Sequence, residues 1–421
     1  MKEEKYIYAG YDISSSYTQI SCLRAGEDTP EAVGTSETEA GIMIPTALCH
    51  IEATGEWLFG EDAVWGRKKN AGNYIEDFTK LIYDADNAVY GKNKLPVQVL
   101  LDKFIVRTLN LIKQKYPDRQ LAGVAVTMPK LNDRLKCAIK ASFAKAGINE
   151  DRLSIVTYTD CFIHYMLSLE DDSLKDRAVV FDCMKDEIQC TLFTSGGLKN
   201  TLGQAGAVSA KNKEISDEWN ELLKIEQKEK KTEQLLEIVS SVTGVGNYNT
   251  IFFTGDGFDE EWAQQALKNL CAGNRVFKGR NLYTRGAVFY ARNIREKLLK
   301  DMTIFDDNMI DSSIALRCEG EKKECLLVAE GTDYRDIQAE KRVILKNSDS
   351  IDFIVKNQIS GTKRMFSFIP ENLPERRKEM LQFMVSIRMT DVNTVVIKVK
   401  DLGFTNMFKN TYRVWEKHFN I

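Results

Sequence analysis

Two stretches of this chain carry the same short pattern, and that repeat limits the architectures open to it. Tyr11-Asp12 closes an apolar run, a polar turn follows, and the chain returns through a strand-like run containing Gln19. Phe181-Asp182 closes a second apolar run and returns through Gln189 with the same spacing. Self-similarity of this kind marks a duplicated structural unit. Each copy places a carboxylate at the end of a strand, beside a turn. Two similar lobes would bring both carboxylates to a shared cleft, a place suited to a phosphate and a hydrated metal ion.

The segments around the copies alternate strand and helix. Val97, Leu101, Phe104, Ile105, Leu109 and Ile112 recur at helical spacing between Leu95 and Tyr116. A buried strand from Leu121 to Thr127 follows, then Asn132 as the N-cap of a helix that runs to Ala146 and stops at Gly147. The strand from Leu153 to Thr157 leads into a short helix. The second copy continues through a charged helical stretch from Glu214 to Val242 and a strand from Asn249 to Thr254. That strand ends in Gly255-Asp256-Gly257, and two helices, Asp259 to Cys271 and Leu282 to Leu299, complete the copy. Strands alternating with helices predict α/β layers. After about residue 300 the pattern becomes one of alternating strands, which predicts an antiparallel β-sandwich. A last helix from Asn406 to Phe419 is expected to pack on it through Met407, Tyr412 and Trp415. The expected organisation is therefore 1–300 as a two-lobed α/β domain, with lobes of about 1–170 and 171–300, and 301–421 as the sandwich.

Composition narrows the partners. The net charge of −3 over 421 residues provides no basic stripe for nucleic acid. No apolar run reaches the roughly 18–20 residues needed to cross a bilayer. The N-terminus enters a strand without a secretory apolar segment, so the expectation is a cytoplasmic protein with neither nucleic acid nor membrane as partner. The nine cysteines form no CxxC pair, and Cys22, Cys183 and Cys190 sit in apolar runs as reduced core residues. The three histidines, His50, His164 and His418, are too far apart to suggest a metal site.

These segments, in this order, resemble the DnaK-type heat-shock chaperones of the actin-like ATPase superfamily. Gly10-Tyr11-Asp12-Ile13-Ser14-Ser15-Ser16 stands in the place of that family's first phosphate loop. Ile44-Pro45-Thr46 and Phe59-Gly60-Glu61-Asp62-Ala63 are similar to its early segments. The most specific likeness is Val124-Ala125-Val126-Thr127-Met128-Pro129 followed by Asn132-Asp133-Arg134 and a helix ending at Ala146-Gly147. Val179-Val180-Phe181-Asp182 resembles the second phosphate loop, Phe253-Thr254-Gly255-Asp256-Gly257 the adenosine motif, and Arg285-Gly286-Ala287-Val288 the helix after it. Lys300 to Phe305 falls at the interdomain linker. Arg364 to Pro370, and Val385 to Val399 with Asp401-Leu402-Gly403, resemble the peptide-binding β-sandwich, without the family's helical lid.

The resemblance implies ATP or ADP with Mg2+ as cofactor and a protein or peptide partner gripped by the sandwich. Asp12 and Asp182 would hold the hydrated Mg2+ and the attacking water. Ser14, Ser15 and Ser16 would contact phosphate, and Gly255, Asp256 and Gly257 the adenosine. Thr79 and Lys80 are rival positions for the catalytic lysine. A residue-level alternative stands beside each: turn aspartates, polar turn serines, and glycines needed by the backbone. The second loop departs from the family, because Cys183-Met184-Lys185-Asp186-Glu187 replaces its glycine run. Tyr158 stands where the family has a glutamate. Two functions therefore follow: a chaperone-like ATP-binding protein with slow or absent hydrolysis, or a pseudo-ATPase that keeps the fold as an interaction scaffold. The tryptophans Trp57, Trp65, Trp219, Trp262 and Trp415 are expected to pack in cores. Phe353, Phe366, Phe368, Phe383 and Met389 either fill the sandwich or line a peptide groove.

Overall fold

The computed structural model describes the chain apart from residues 1–4, 78–79, 83–86, 91–92, 172–173, 185–186, 197–205, 320–322 and 346–348. It divides into two compact units. One is Met1–Thr191 with Lys213–Lys300, and the other is Leu192–Asn212 with Asp301–Ile421. The second unit thus takes in a segment that the sequence pattern assigns to the second lobe. The cause is a strand pairing: Gly206–Lys213 runs parallel to Met302–Phe305, with Gly206 opposite Met302.

In the first unit, one sheet has the order Leu153–Val156, Gln120–Thr127, Tyr6–Ile13, Tyr17–Arg24, Glu31–Val33. Tyr6–Ile13 pairs antiparallel with the strand that follows it and parallel with Gln120–Thr127. It is buried along almost its whole length, as an apolar run covered on both faces should be. A second sheet repeats the plan with Arg275–Lys278, Thr250–Thr254, Arg177–Met184 and Glu187–Gly196 as successive neighbours. Here Thr250–Thr254 is parallel to the strands on either side. Each copy closes on a helix, Tyr158–Ser168 in the first and Leu282–Glu296 in the second. These two helices cross closely, because a Cβ on Gly286 would come within 2.0 Å of the Cys161 carbonyl oxygen. The repeat read from Tyr11-Asp12 and Phe181-Asp182 is therefore a repeat of strand order.

The charged stretch from Glu214 to Val242 forms two helices, Ser216–Leu223 and Lys228–Gly244, rather than one. Cys22, Cys183 and Cys190 are buried thiols. Among the described residues no helix is long and apolar enough to cross a membrane.

The second unit contains two four-stranded antiparallel sheets. Their orders are Glu324–Val328, Ser312–Arg317, Ile351–Asn357, Lys363–Phe368 and Gln338–Ile344, Gln382–Asp391, Thr394–Gly403, Val414–Asn420. Phe353, Phe368, Phe383 and Met389 are buried in the shared core, and Phe366 packs against it between Phe353 and Phe419. These aromatics fill the sandwich rather than line a groove. The expected last helix is a strand, Val414–Asn420, whose Trp415 and Phe419 stand opposite Val399 and Val395. Residues four apart share a face in a helix and also in a strand. The Trp415–Phe419 spacing therefore fits both, and pairing with Thr394–Gly403 decides for the strand. Met407 and Tyr412, which the helix would have buried, are exposed. Of the five tryptophans, Trp65 alone departs from a packing role, with 59% of its surface exposed.

Candidate functional site

Asp12 and Asp182 come to one cavity in the first unit, each near the end of the strand at the centre of its sheet. They are only 9% and 4% exposed. Neither faces solvent as an ordinary turn aspartate would.

A tyrosine stands beside each of them. Thr157 caps the helix Tyr158–Ser168, accepting from the Asp160 N–H while the Asp160 side chain accepts from the Thr157 N–H. This reciprocal cap fixes the first turn. It aims Tyr158 at Asp12, and the hydroxyl donates to Oδ1 at 2.8 Å. In the second copy Tyr283, in the first turn of Leu282–Glu296, lines the same cavity beside Asp182 and favours its ionised form. The two rings lie face to face, with centroids 3.7 Å apart and planes 11° from parallel. The centre of the unit is thus two Asp–Tyr pairs joined through their rings, one pair from each copy of the repeat.

Burial pushes the Asp12 carboxyl up to about 7, against the opposing pull of the Tyr158 hydrogen bond. Burial also pushes Asp182 up, to about 8, reinforced by the negative charge of Asp12 and of Asp256 and opposed by Tyr283. Desolvation drives both tyrosine hydroxyls far above their usual range. An uncompensated buried charge is costly, so such groups keep their protons. Among the described residues that line the cavity Arg280 is the only cation, and its guanidinium pairs with Asp259.

The cavity has a volume of about 50 Å³. Sites for organic ligands usually span about 300–1,000 Å³, and a nucleotide does not fit here. A hydrated Mg2+ calls for open carboxylates, whereas Asp12 already accepts the Tyr158 hydroxyl and both carboxyls are buried beside the stacked rings. The residues present therefore do not fit a Mg-nucleotide.

The other expected contacts are engaged by the fold. Ser14 lines the cavity, but its hydroxyl donates to the Tyr17 carbonyl at 2.7 Å and accepts from the Tyr17 N–H at 3.1 Å, closing its own turn. Ser15 and Ser16 lie outside the cavity lining, and the Ser16 carbonyl accepts from the Thr46 N–H. Gly255 adopts φ 90°, and a Cβ there would lie 2.0 Å from the Cys183 carbonyl oxygen. At Gly257 a Cβ would lie 2.2 Å from Cys183 Sγ. These glycines let the turn close on the residue after Asp182, so packing accounts for them. Asp256 lines the cavity and adds negative charge beside Asp182. Lys80 is exposed; Thr79, Lys185 and Asp186 lie outside the described residues. Glu187 is on the surface, paired with Lys130 at 2.8 Å.

Sequence reasoning did not single out Tyr283. The signal that finds it is the repeat itself: Tyr158-Thr159 and Tyr283-Thr284 occupy the first turns of the two closing helices.

No curated protein matches the chain. Residues 309–421 match a domain model described as a domain of unknown function, DUF8552. Its start falls close to the change from α/β layers to sandwich. The larger match, over residues 29–307, is to the C-terminal model of a family of unknown function, DUF5716, and the chain belongs to that family.

Proposed function

We propose that this chain is an actin-like, DnaK-type protein that works as a pseudo-ATPase, an interaction scaffold whose cleft no longer takes nucleotide. The duplicated strand order, the Asp-ended strand in each copy and the C-terminal sandwich support the kinship. One observation carries the loss of nucleotide: the stacked Tyr158–Tyr283 pair, with Tyr158 hydrogen-bonded to Asp12 and Tyr283 beside Asp182. The groups that would position metal and water instead hold the two halves of the repeat together. The partner is a protein or peptide, met by the sandwich. Leu326, Met365, Ile369, Met407 and Tyr412 are exposed there and provide the apolar area that such contacts use.

Calorimetric titration with Mg-ATP and Mg-ADP tests the reading. The expected result is no binding heat and no thermal stabilisation at millimolar nucleotide. Binding at about 1 μM or tighter, roughly −8 kcal/mol, would restore the nucleotide-regulated chaperone reading. The rings would then have to part to admit the ligand.

A further inference from the structure

We propose that the Asp12–Tyr158 and Tyr283–Asp182 pairs form a proton-operated latch, which holds the two halves of the repeat together and releases when the cluster loses its protons. The proposal rests on the ring-filled cleft described above but goes beyond the absence of nucleotide.

The geometry makes the latch a single unit. Each half of the repeat supplies one carboxyl and one tyrosine, and the ring-to-ring join between these pairs runs across the halves. Among the described residues, six titratable or charged side chains face the two carboxyls. Tyr17 comes from the hairpin strand after Asp12, Tyr158 and Cys161 from one closing helix, Asp256 from the turn after Thr250–Thr254, and Arg280 and Tyr283 from the start of the other helix. Of these, Arg280 carries the sole positive charge, and it shares Asp259 with Lys278. Loss of the protons on Asp12 and Asp182 therefore places two like charges, beside Asp256, around a cavity of about 50 Å³. The single Arg280 charge does not balance three carboxylates. Water entry is the available relief, and it requires the stacked rings to separate.

The sign follows from the direction of the shifts. Both carboxyls are held protonated more firmly in the closed state than in water. Closure is therefore favoured at low pH and weakens as pH rises through the neutral and mildly alkaline range. The Tyr158 hydrogen bond opposes the upward shift at Asp12. Its removal should move release to higher pH.

Cys161 and Cys183 are fully buried thiols beside the cluster, whereas Cys137 and Cys271 are exposed. They provide a direct readout. The intact protein is treated with N-ethylmaleimide between pH 6 and 9, and labelling at each cysteine is followed by mass spectrometry. Labelling of Cys137 and Cys271 corrects for the reagent's own dependence on thiolate. Corrected labelling of Cys161 and Cys183 should rise about tenfold or more across this range. In the Asp12→Asn, Asp182→Asn double variant it should stay flat. Tyr158→Phe keeps the stacked ring and serves even if the double variant does not fold; its rise should begin at higher pH than in the parent. A flat parent profile, an unchanged rise in the double variant, or an unmoved rise in Tyr158→Phe would overturn the latch. None of these readouts depends on nucleotide, so the latch and the scaffold reading can fail separately.

Discussion

At the scale of single residues, chemistry that looks catalytic in the sequence is used by the fold. Gly255 separates the two uses. Its φ of 90° and the 2.0 Å that would separate an added Cβ from the Cys183 carbonyl oxygen leave no room for a side chain. Gly255→Ala should destabilise the protein by about 1–3 kcal/mol or more, measured by urea unfolding. A glycine kept only to admit a ligand would tolerate that change with its stability intact. Asp182 gives a second prediction at this scale. Its folded-state pKa, about 8, lies above the ordinary aspartate value of 3.8. Its contribution to stability is therefore full below the unfolded value and is lost as pH rises towards 8. Asp182→Asn, which cannot ionise, should remove that loss. The parent's stability should fall relative to the variant by up to about 1.4 kcal/mol per pH unit between pH 5 and 8, read from denaturant midpoints. Parallel curves for the two proteins would show that Asp182 does not carry the pH dependence.

At the scale of elements, the buried pair Arg376–Asp401 ties the end of Thr394–Gly403 to the chain on both sides. Arg376 Nη2 lies 2.6 Å from Asp401 Oδ2, with both side chains almost fully buried. The same carboxyl accepts from the Thr411 N–H at 2.7 Å and hydroxyl at 2.8 Å, and from the Gly403 N–H at 3.1 Å. Burial works against ionisation of Asp401, but these bonds together hold its carboxyl below the usual range. Asp401→Ala would strand the Arg376 charge and should cost about 3–5 kcal/mol in denaturant unfolding. Because the pKa is depressed, this contribution is present above the unfolded value and is lost as pH falls through the folded one. The same strands show what the sequence made legible. Periodicity located the helix Val97–Lys115, and Asn132 marked the start of Asp133–Lys145, where its Oδ1 accepts from the Leu135 N–H at 2.8 Å. Local signals were enough for both. The strand Val414–Asn420 was misread because Trp415 and Phe419 are spaced for either structure, and only its partner strand settles the choice. Tyr283 was hidden for a similar reason. In the first turn of an apolar helix it reads as core, and its partner Asp182 is distant in sequence.

At the scale of the whole molecule, the second unit is assembled from two separate parts of the chain, and the question is which part it needs in order to fold. Its buried core runs from Ile310 to Val399 and, among the described residues, draws nothing from Leu192–Asn212. All eight sandwich strands lie between Ser312 and Asn420. The inserted segment adds the parallel pairing with Met302–Phe305, a Lys211–Asp311 ion pair at 3.4 Å, and hydrogen bonds from Asn212 to Asp307. A partly exposed ion pair of that length contributes about 0–1 kcal/mol, far less than the burial of Phe353, Phe368, Phe383 and the aliphatic residues around them. A polypeptide of residues 309–421 should therefore fold alone. It should show a β-type far-UV spectrum, dispersed near-UV signals from Trp415, and a single cooperative thermal transition, as expected of a domain of this size. Collapse without cooperative melting, corrected by adding a peptide of residues 192–212, would mean that the inserted segment supplies more than surface contacts. The sandwich would then be an obligate two-part domain, whose folding waits on the strand threaded into it from the middle of the chain.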